Sequence, residues 1–189
     1  MKEIEILVKV LDNKQKALSV LDSYKKVGIK KITDTYFFNS ERNELQPDQS
    51  GRLTRCLRLR KKENKNFLAY KIDYFNEKPV WLYSDEHETE VADFETMMVI
   101  LRHLGLEILV EIKNKKHIYL TDKYEIVLEE VENLVLFLEV ECLGQVEDDK
   151  VLDVKNEIWK FIKSLKMVTE EESNAGKPEL MIRKGLGKF

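Results

Sequence analysis

Apolar and charged side chains alternate from the start of the chain. In Glu3-Ile4-Glu5-Ile6-Leu7-Val8-Lys9-Val10, a strand puts Ile4, Ile6, Val8 and Val10 on one face, the core face, and Glu3, Glu5, Leu7 and Lys9 on the other. The period then changes. Asp12 or Asn13 is placed to cap a helix with Ala17, Leu18, Leu21 and Tyr24 along one stripe, and Gly28 is the expected stop. Strand patterning returns over residues 32–39, 53–61, 67–74 and 87–91, and the first two of these flank a polar loop, 40–51, that carries Pro47. Asp93 is set to cap a second helix bearing Phe94, Met97, Met98, Leu101 and Leu104, closed by Gly105. Further strands are expected over 109–120, 124–131 and 135–143. Val151, Val154, Ile158, Phe161, Ile162 and Leu165 then share one face of a third helix. Residues 170–176 read as a mobile acidic linker, and Pro178 opens a short last helix through Met181.

Eight strands with helices between them, and neither an internal repeat nor a domain boundary, predict an α+β fold on an antiparallel sheet. It is expected as one domain over residues 1–189, with a core over 1–168 and a C-terminal linker and helix over 169–189. At 189 residues, 43% hydrophobic and 35% charged, the chain can bury a substantial core beside a great deal of charge. Its 32 basic and 35 acidic residues leave a net charge of -3, which argues against a general nucleic-acid binder and leaves room for a local basic pocket. Cys56 and Cys142 have no metal-ligand spacing and suggest no disulfide framework, as suits a reducing cytoplasm. Met1-Lys2-Glu3 runs straight into the first strand without a signal segment, and no apolar run is long enough to span a membrane. A cytoplasmic protein with no membrane or nucleic-acid partner is expected.

The charge pattern adds chemistry. Glu3/Glu5, Glu88/Glu90 and Glu139/Glu141 are acidic pairs two residues apart, and Arg58/Arg60 and Lys113/Lys115 are basic ones. Like charges on one face repel, so an ordinary solvated sheet would mix the signs. The separation makes sense if the charged faces line a closed barrel whose outer faces pack under helices, since barrels of about this strand number hold one small ligand. Carboxylates suit a hard divalent cation and arginine forks suit phosphate oxygens, which together are the parts for phosphoryl transfer. His87, His103 and His117 do not cluster, and Trp81 and Tyr83 are more simply packing rings than base-stacking ones.

The ordered motifs resemble the CYTH family, the triphosphate tunnel metalloenzymes. Glu3-Ile4-Glu5-Ile6, Asp34-Thr35-Tyr36-Phe37, Leu57-Arg58-Leu59-Arg60, Lys71, Glu88-Thr89-Glu90, Leu104-Gly105-Leu106, Lys113-Asn114-Lys115 with Tyr119, and Phe137-Leu138-Glu139-Val140-Glu141 carry the likeness. The resemblance implies an eight-stranded antiparallel closed β-barrel, a tunnel, with helices outside. It is nearest the class IV adenylyl cyclase branch, which converts ATP to cyclic AMP and pyrophosphate, with a triphosphatase or a catalytically decayed triphosphate-binding module as alternatives. It implies magnesium or manganese on Glu3, Glu5, Glu129, Glu139 and Glu141, and phosphates gripped by Lys9, Arg58, Arg60, Lys71, Lys113 and Lys115, with Glu88 and Glu90 lining the tunnel. Glu3, Glu5, Lys71, Lys113 and Glu129 are the implied catalytic residues. ATP or another triphosphate is the implied substrate, and a homodimer the implied assembly. The sequence departs from the family pattern at Leu7, where a first-strand lysine is usual, and at Lys115 and Glu129, where arginine and aspartate are usual.

Overall fold

The computed structural model describes residues 2–49, 51–78 and 80–187; Ser50, in the expected 40–51 loop, lies outside the described residues with Met1, Pro79, Lys188 and Phe189. Among the described residues, ten strands form one antiparallel sheet accompanied by four α-helices. In chain order they are β1 (Lys2–Glu3), β2 (Glu5–Val10), α1 (Lys14–Leu21), β3 (Lys25–Phe38), β4 (Arg55–Lys62), β5 (Lys65–Phe75), β6 (Trp81–Val91) and α2 (Phe94–His103). There follow β7 (Glu107–Leu120), β8 (Tyr124–Val131), β9 (Leu136–Cys142), α3 (Val151–Ser164), β10 (Thr169–Glu172) and α4 (Lys177–Arg183). The strand order is β1-β6-β5-β4-β3-β7-β8-β9-β2-β10.

Among the described residues the sheet curls into a half-barrel of ten strands, where eight were expected. Two features raise the number. The opening segment is interrupted at Ile4, so Lys2 and Glu3 pair with Asp85 and Ser84 on β6, whereas Glu5 to Lys9 pair with β9, from Glu141 to Phe137. The supposed mobile linker supplies β10, in which Thr169 and Glu172 face Val10 and Val8, and Ser173 N–H continues the ladder to the Leu7 carbonyl at 3.0 Å. An unpaired edge on β2 recruits those backbone groups. The first helix is also shorter than expected. It closes where Asp22 N–H bonds the Leu18 carbonyl, and Gly28 falls at a bulge inside β3, because residues 25–38 ladder along β7.

Apolar residues pack on both sides of the curve. Outside, Ile4, Ile6, Val8 and Val10 join Leu128 and Leu138 beneath Ala17 and Leu21 of α1 and Ile158 and Ile162 of α3. Met98 and Leu101 of α2 cover Phe37 and Leu59. The expected caps hold: Asn13 accepts from Lys16 N–H at 2.9 Å, Asp93 accepts from Thr96 N–H, and Gly105 ends α2 at φ +77°. On the concave side, Leu7, Tyr36, Ile112 and Phe137 receive Met181 and Ile182 of α4. That helix is further tied down by Glu179, which accepts from Leu53 N–H at 2.9 Å and from Gly176 N–H.

Candidate active site

Strand alternation aims one charged row from each central strand into the curve. There the row lines a cavity of about 240 Å³. Its cations are Arg58 and Arg60 from β4, Lys71 from β5, Lys116 from β7 and Lys177 from α4. Its acids include Glu3 and Glu5 on the opening segment, Glu139 and Glu141 on β9, Asp34 on β3, and Glu86 and Glu88 on β6.

Ion pairs divide these groups into sets. Arg60 forks onto Asp34, Nε to Oδ1 at 2.7 Å and a terminal nitrogen to Oδ2 at 2.9 Å. Arg58 reaches Glu86 at 2.7 Å and Glu88 at 3.2 Å, while its Nε is buried with no hydrogen-bond partner among the described residues. Lys71 bridges Glu3 at 3.0 Å and Glu5 at 3.1 Å. Lys177 lies 2.6 Å from Glu139 and 2.9 Å from Glu129, and Lys116 lies 2.6 Å from Glu129 and 3.5 Å from Glu139.

The pairing divides the acids by charge state. Burial works against ionisation of Glu139, yet Lys116 and Lys177 outweigh it and hold that carboxyl well below the usual range. Among the described residues no cation pairs with Glu141: burial, then the charges of Glu5 and Glu3, push it up to about 8. Glu3 is pushed up to about 7, burial outweighing the help of Lys71. A carboxylate cluster whose repulsion Lys71 only partly offsets has the hard oxygen donors that magnesium-like cations take. Among the described residues no three such groups already stand in ligating positions. The donor chemistry of Glu3, Glu5 and Glu141 fits a divalent ion.

The structure brings together Glu3, Glu5, Arg58, Arg60, Lys71, Glu88, Glu139 and Glu141 around the cavity. Glu129 is fully buried behind it, held by Lys116 and Lys177, so it and Glu139, both expected on metal, are instead lysine-paired here. Four expected residues stand elsewhere. Lys113 and Lys115 line a separate groove with Lys31 and Lys61, away from the other expected phosphate ligands. On β7 Lys113 is exposed and Lys115 half-buried, whereas Ile112, Asn114 and Lys116 are buried, so the Lys113/Lys115 row is the outer one. Lys9 pairs with Glu170 of β10 at 2.7 Å, and Glu90 with Lys65 at 2.8 Å.

Several cavity residues were not assigned to the site from sequence, among them Lys116, Lys177 and Asp34. Lys116 is one step out of phase with the Lys113/Lys115 pair, and the signal for it was the alternation Ile112-Asn114-Lys116. Lys177 sits in the C-terminal helix, and only tertiary packing carries it in. Asp34 was noted within its motif, but its fork with Arg60 depends on the β3–β4 register, where the two stand opposite each other. Trp81 is buried at the cavity margin, its indole N–H donating to Ser84 Oγ at 3.1 Å, and Tyr83 stacks on Tyr74 with ring centroids 4.6 Å apart. Both rings serve packing.

Comparison with known proteins places this arrangement among others. The family model described as CYTH domain matches residues 1–174. A Methanocaldococcus jannaschii protein named "Putative adenylate cyclase MJ0240" is 32% identical over 170 residues, 85% of this chain and 89% of that one. The PH1819 protein of Pyrococcus horikoshii has a similar structure, with a TM-score of 0.79 and 24% identity over 95% of this chain and 99% of that one. A Hippeastrum protein, "Putative adenylyl cyclase HpAC1", whose structure is described as revealing a dominant triphosphatase activity, aligns with a TM-score of 0.63 and 17% identity over 97% and 96% of the two chains. These two structural likenesses show the fold. Among the described residues no helix is long and apolar enough to cross a membrane.

Proposed function

The chain belongs to the CYTH domain family, and on that premise we propose that it hydrolyses a triphosphate bound in the concave cavity. Proteins of this family act on triphosphates and use divalent metal ions. The observation that carries the reading is the convergence of Arg58, Arg60, Lys71, Lys116 and Lys177 on one cavity that also holds the Glu3-Glu5-Glu141 cluster. The unpartnered Arg58 Nε is a buried donor suited to a phosphate oxygen. The cavity's 240 Å³ lies below the roughly 300–1,000 Å³ of sites that engulf whole drug-sized ligands, so it matches a phosphate chain better than a complete nucleotide.

Glu3, Glu5 and Glu141 would hold magnesium or manganese, which when bound supplies charge neutralisation on the phosphoryl oxygens. The arginines and lysines orient the chain and offset its negative charge as water attacks the terminal phosphorus. The terminal phosphoanhydride bond breaks, releasing phosphate and a diphosphate. In such reactions positioning and electrostatics do most of the work. Closure of the tunnel belongs to the same proposal, supported by an opening segment that pairs with both β6 and β9.

A second reading, conversion of ATP to cyclic AMP and pyrophosphate, is favoured by the name of the 32%-identical relative. Chromatography of products from tripolyphosphate and from ATP, each with magnesium or manganese, separates the two. Phosphate from tripolyphosphate, with ADP and phosphate from ATP, is the expected result, and Arg58→Ala should lower kcat/KM by about 100-fold or more. Cyclic AMP with pyrophosphate would overturn hydrolysis in favour of the cyclase. A metal-dependent thermal shift by tripolyphosphate without any product would leave a binding module.

A further inference from the structure

The outer face of the sheet carries a second concentration of positive charge that the cavity does not use. An open groove of about 540 Å³ crosses β4, β3, β7 and β8 there, over Lys31, Thr33, Lys61, Lys113 and Lys115. Register sets its geometry. Thr33 stands opposite Lys61 of β4 on one side and Lys113 of β7 on the other, and Lys31 stands opposite Lys115. Directly opposed side chains share a face at about 5 Å, and same-face neighbours along a strand are about 6.7 Å apart, so four ammonium stems surround one hydroxyl. Asp34, Arg60 and Lys116, the next residues along the same strands, turn the other way into the cavity.

These lysines are poorly neutralised. Like charges directly opposite each other repel, as Lys31 and Lys115 do. Among the described residues no acid pairs with Lys31. Lys115 has only Glu130, at 3.9 Å, and that carboxylate already holds Lys14 at 2.9 Å and His117 at 3.0 Å. Lys113 reaches Glu111 at 3.5 Å with both side chains well exposed, an ion pair of little strength. Lys61 lies over the Phe94 ring, 5.4 Å from its centroid, which orients the ammonium without cancelling its charge. Glu63 in the β4–β5 turn and Glu132 in the β8–β9 turn stand at the two ends of the groove.

We propose that this groove is a second binding site, on the opposite face of the sheet from the cavity, for a compact dianion: inorganic phosphate or the phosphoryl group of a monoester. The inference does not depend on the triphosphate reading. Ammonium groups on flexible stems serve an oxyanion as point charges, and the Thr33 hydroxyl adds a donor between them. The acids at the two ends set the size of the ligand. An extended polyanion laid along the groove would meet Glu63 or Glu132, whereas a single phosphoryl group between Thr33 and the Lys31–Lys115 pair meets neither. Such an anion relieves the repulsion within that pair, a gain that a neutral ligand does not offer.

The test is an amide-resolved NMR titration of the full chain with inorganic phosphate and, separately, with adenosine 5′-monophosphate. It is run at low ionic strength, where exposed charges are least screened, against chloride at matched ionic strength. Saturable shifts are expected at the amides of Lys31, Thr33, Lys113 and Lys115, with a Kd of about 1 mM for at least one titrant. The tighter of the two identifies the source. The same shifts should persist in Arg58→Ala, whose change lies in the cavity. A Lys31→Gln/Lys115→Gln double variant should weaken them about tenfold without lowering the melting temperature, since it removes a repulsive pair. Thr33→Val, which keeps a β-branched side chain in the strand, should also weaken binding. Shifts no larger than those with chloride overturn the site, as do shifts confined to cavity residues or an unchanged Kd in both groove variants.

Discussion

Asp34 is the acid whose behaviour its neighbours most fully determine. Burial alone would raise its pKa, but the Arg60 fork outweighs burial and brings it from 3.8 to about 2. A folded-state value below the unfolded one means the carboxylate stabilises the fold above about pH 4, and this contribution is lost as pH falls toward 2. Its size is about 2 kcal/mol. In urea melts Asp34→Asn should therefore be less stable at neutral pH, by about 3 kcal/mol because Arg60 is left buried and uncompensated. The gap to wild type should narrow as pH drops through that window; a gap of constant size would sink the assignment. Residue types at this scale were legible in advance, and Glu3, Glu5, Arg58, Arg60 and Lys71 do converge. Lys113 and Lys115 do not, because alternation fixes which residues share a face but not whether that face is concave.

At the scale of elements, α4 and β10 change the meaning of Leu7. Seen from β2 alone, Leu7 interrupts a charged row and invites replacement by lysine to strengthen triphosphate binding. In the fold it is 4% exposed and packs with Phe137, Met181 and Ile182, with Glu139 as its cross-strand neighbour and Lys177 already on that glutamate. A lysine there would bury a second ammonium and remove part of the apolar seat of α4. Leu7→Lys is thus expected to lower stability by roughly 3 kcal/mol, to give no gain in triphosphate affinity, and to speed proteolysis within residues 173–187. Unchanged stability with tighter binding would show that α4 does not depend on this contact. The helices and most strands were readable from caps and periodicity. Residues 169–172 were not, since Thr-Glu-Glu-Glu becomes a strand only because β2 offers it an edge.

For the whole molecule, Glu3 and Glu5 come together with Glu141 from distant parts of the chain, and beyond the effect of burial the charge of Glu5 adds to the cost of ionising Glu3, and those of Glu5 and Glu3 to that of Glu141. A divalent cation would relieve that cost and bind the folded state preferentially. Magnesium should consequently raise the thermal midpoint of the wild type, by a shift that grows with concentration, and Glu141→Gln should remove most of it. An equal shift in the variant would place the cation elsewhere. The sequence by itself determined the antiparallel α+β class, the outer core face of Ile4, Ile6, Val8 and Val10, the main helices and the residue types of the site. These follow from short-range periodicity and from capping chemistry, which act within a few residues. Only the tertiary structure decided that the charged rows of β2, β4, β5 and β9 face a common cavity, that β7 contributes Lys116 to it, and that Lys177 arrives from α4. Curvature, register and helix docking set those contacts, and they depend on pairings between residues more than a hundred positions apart, such as Glu5 with Glu141.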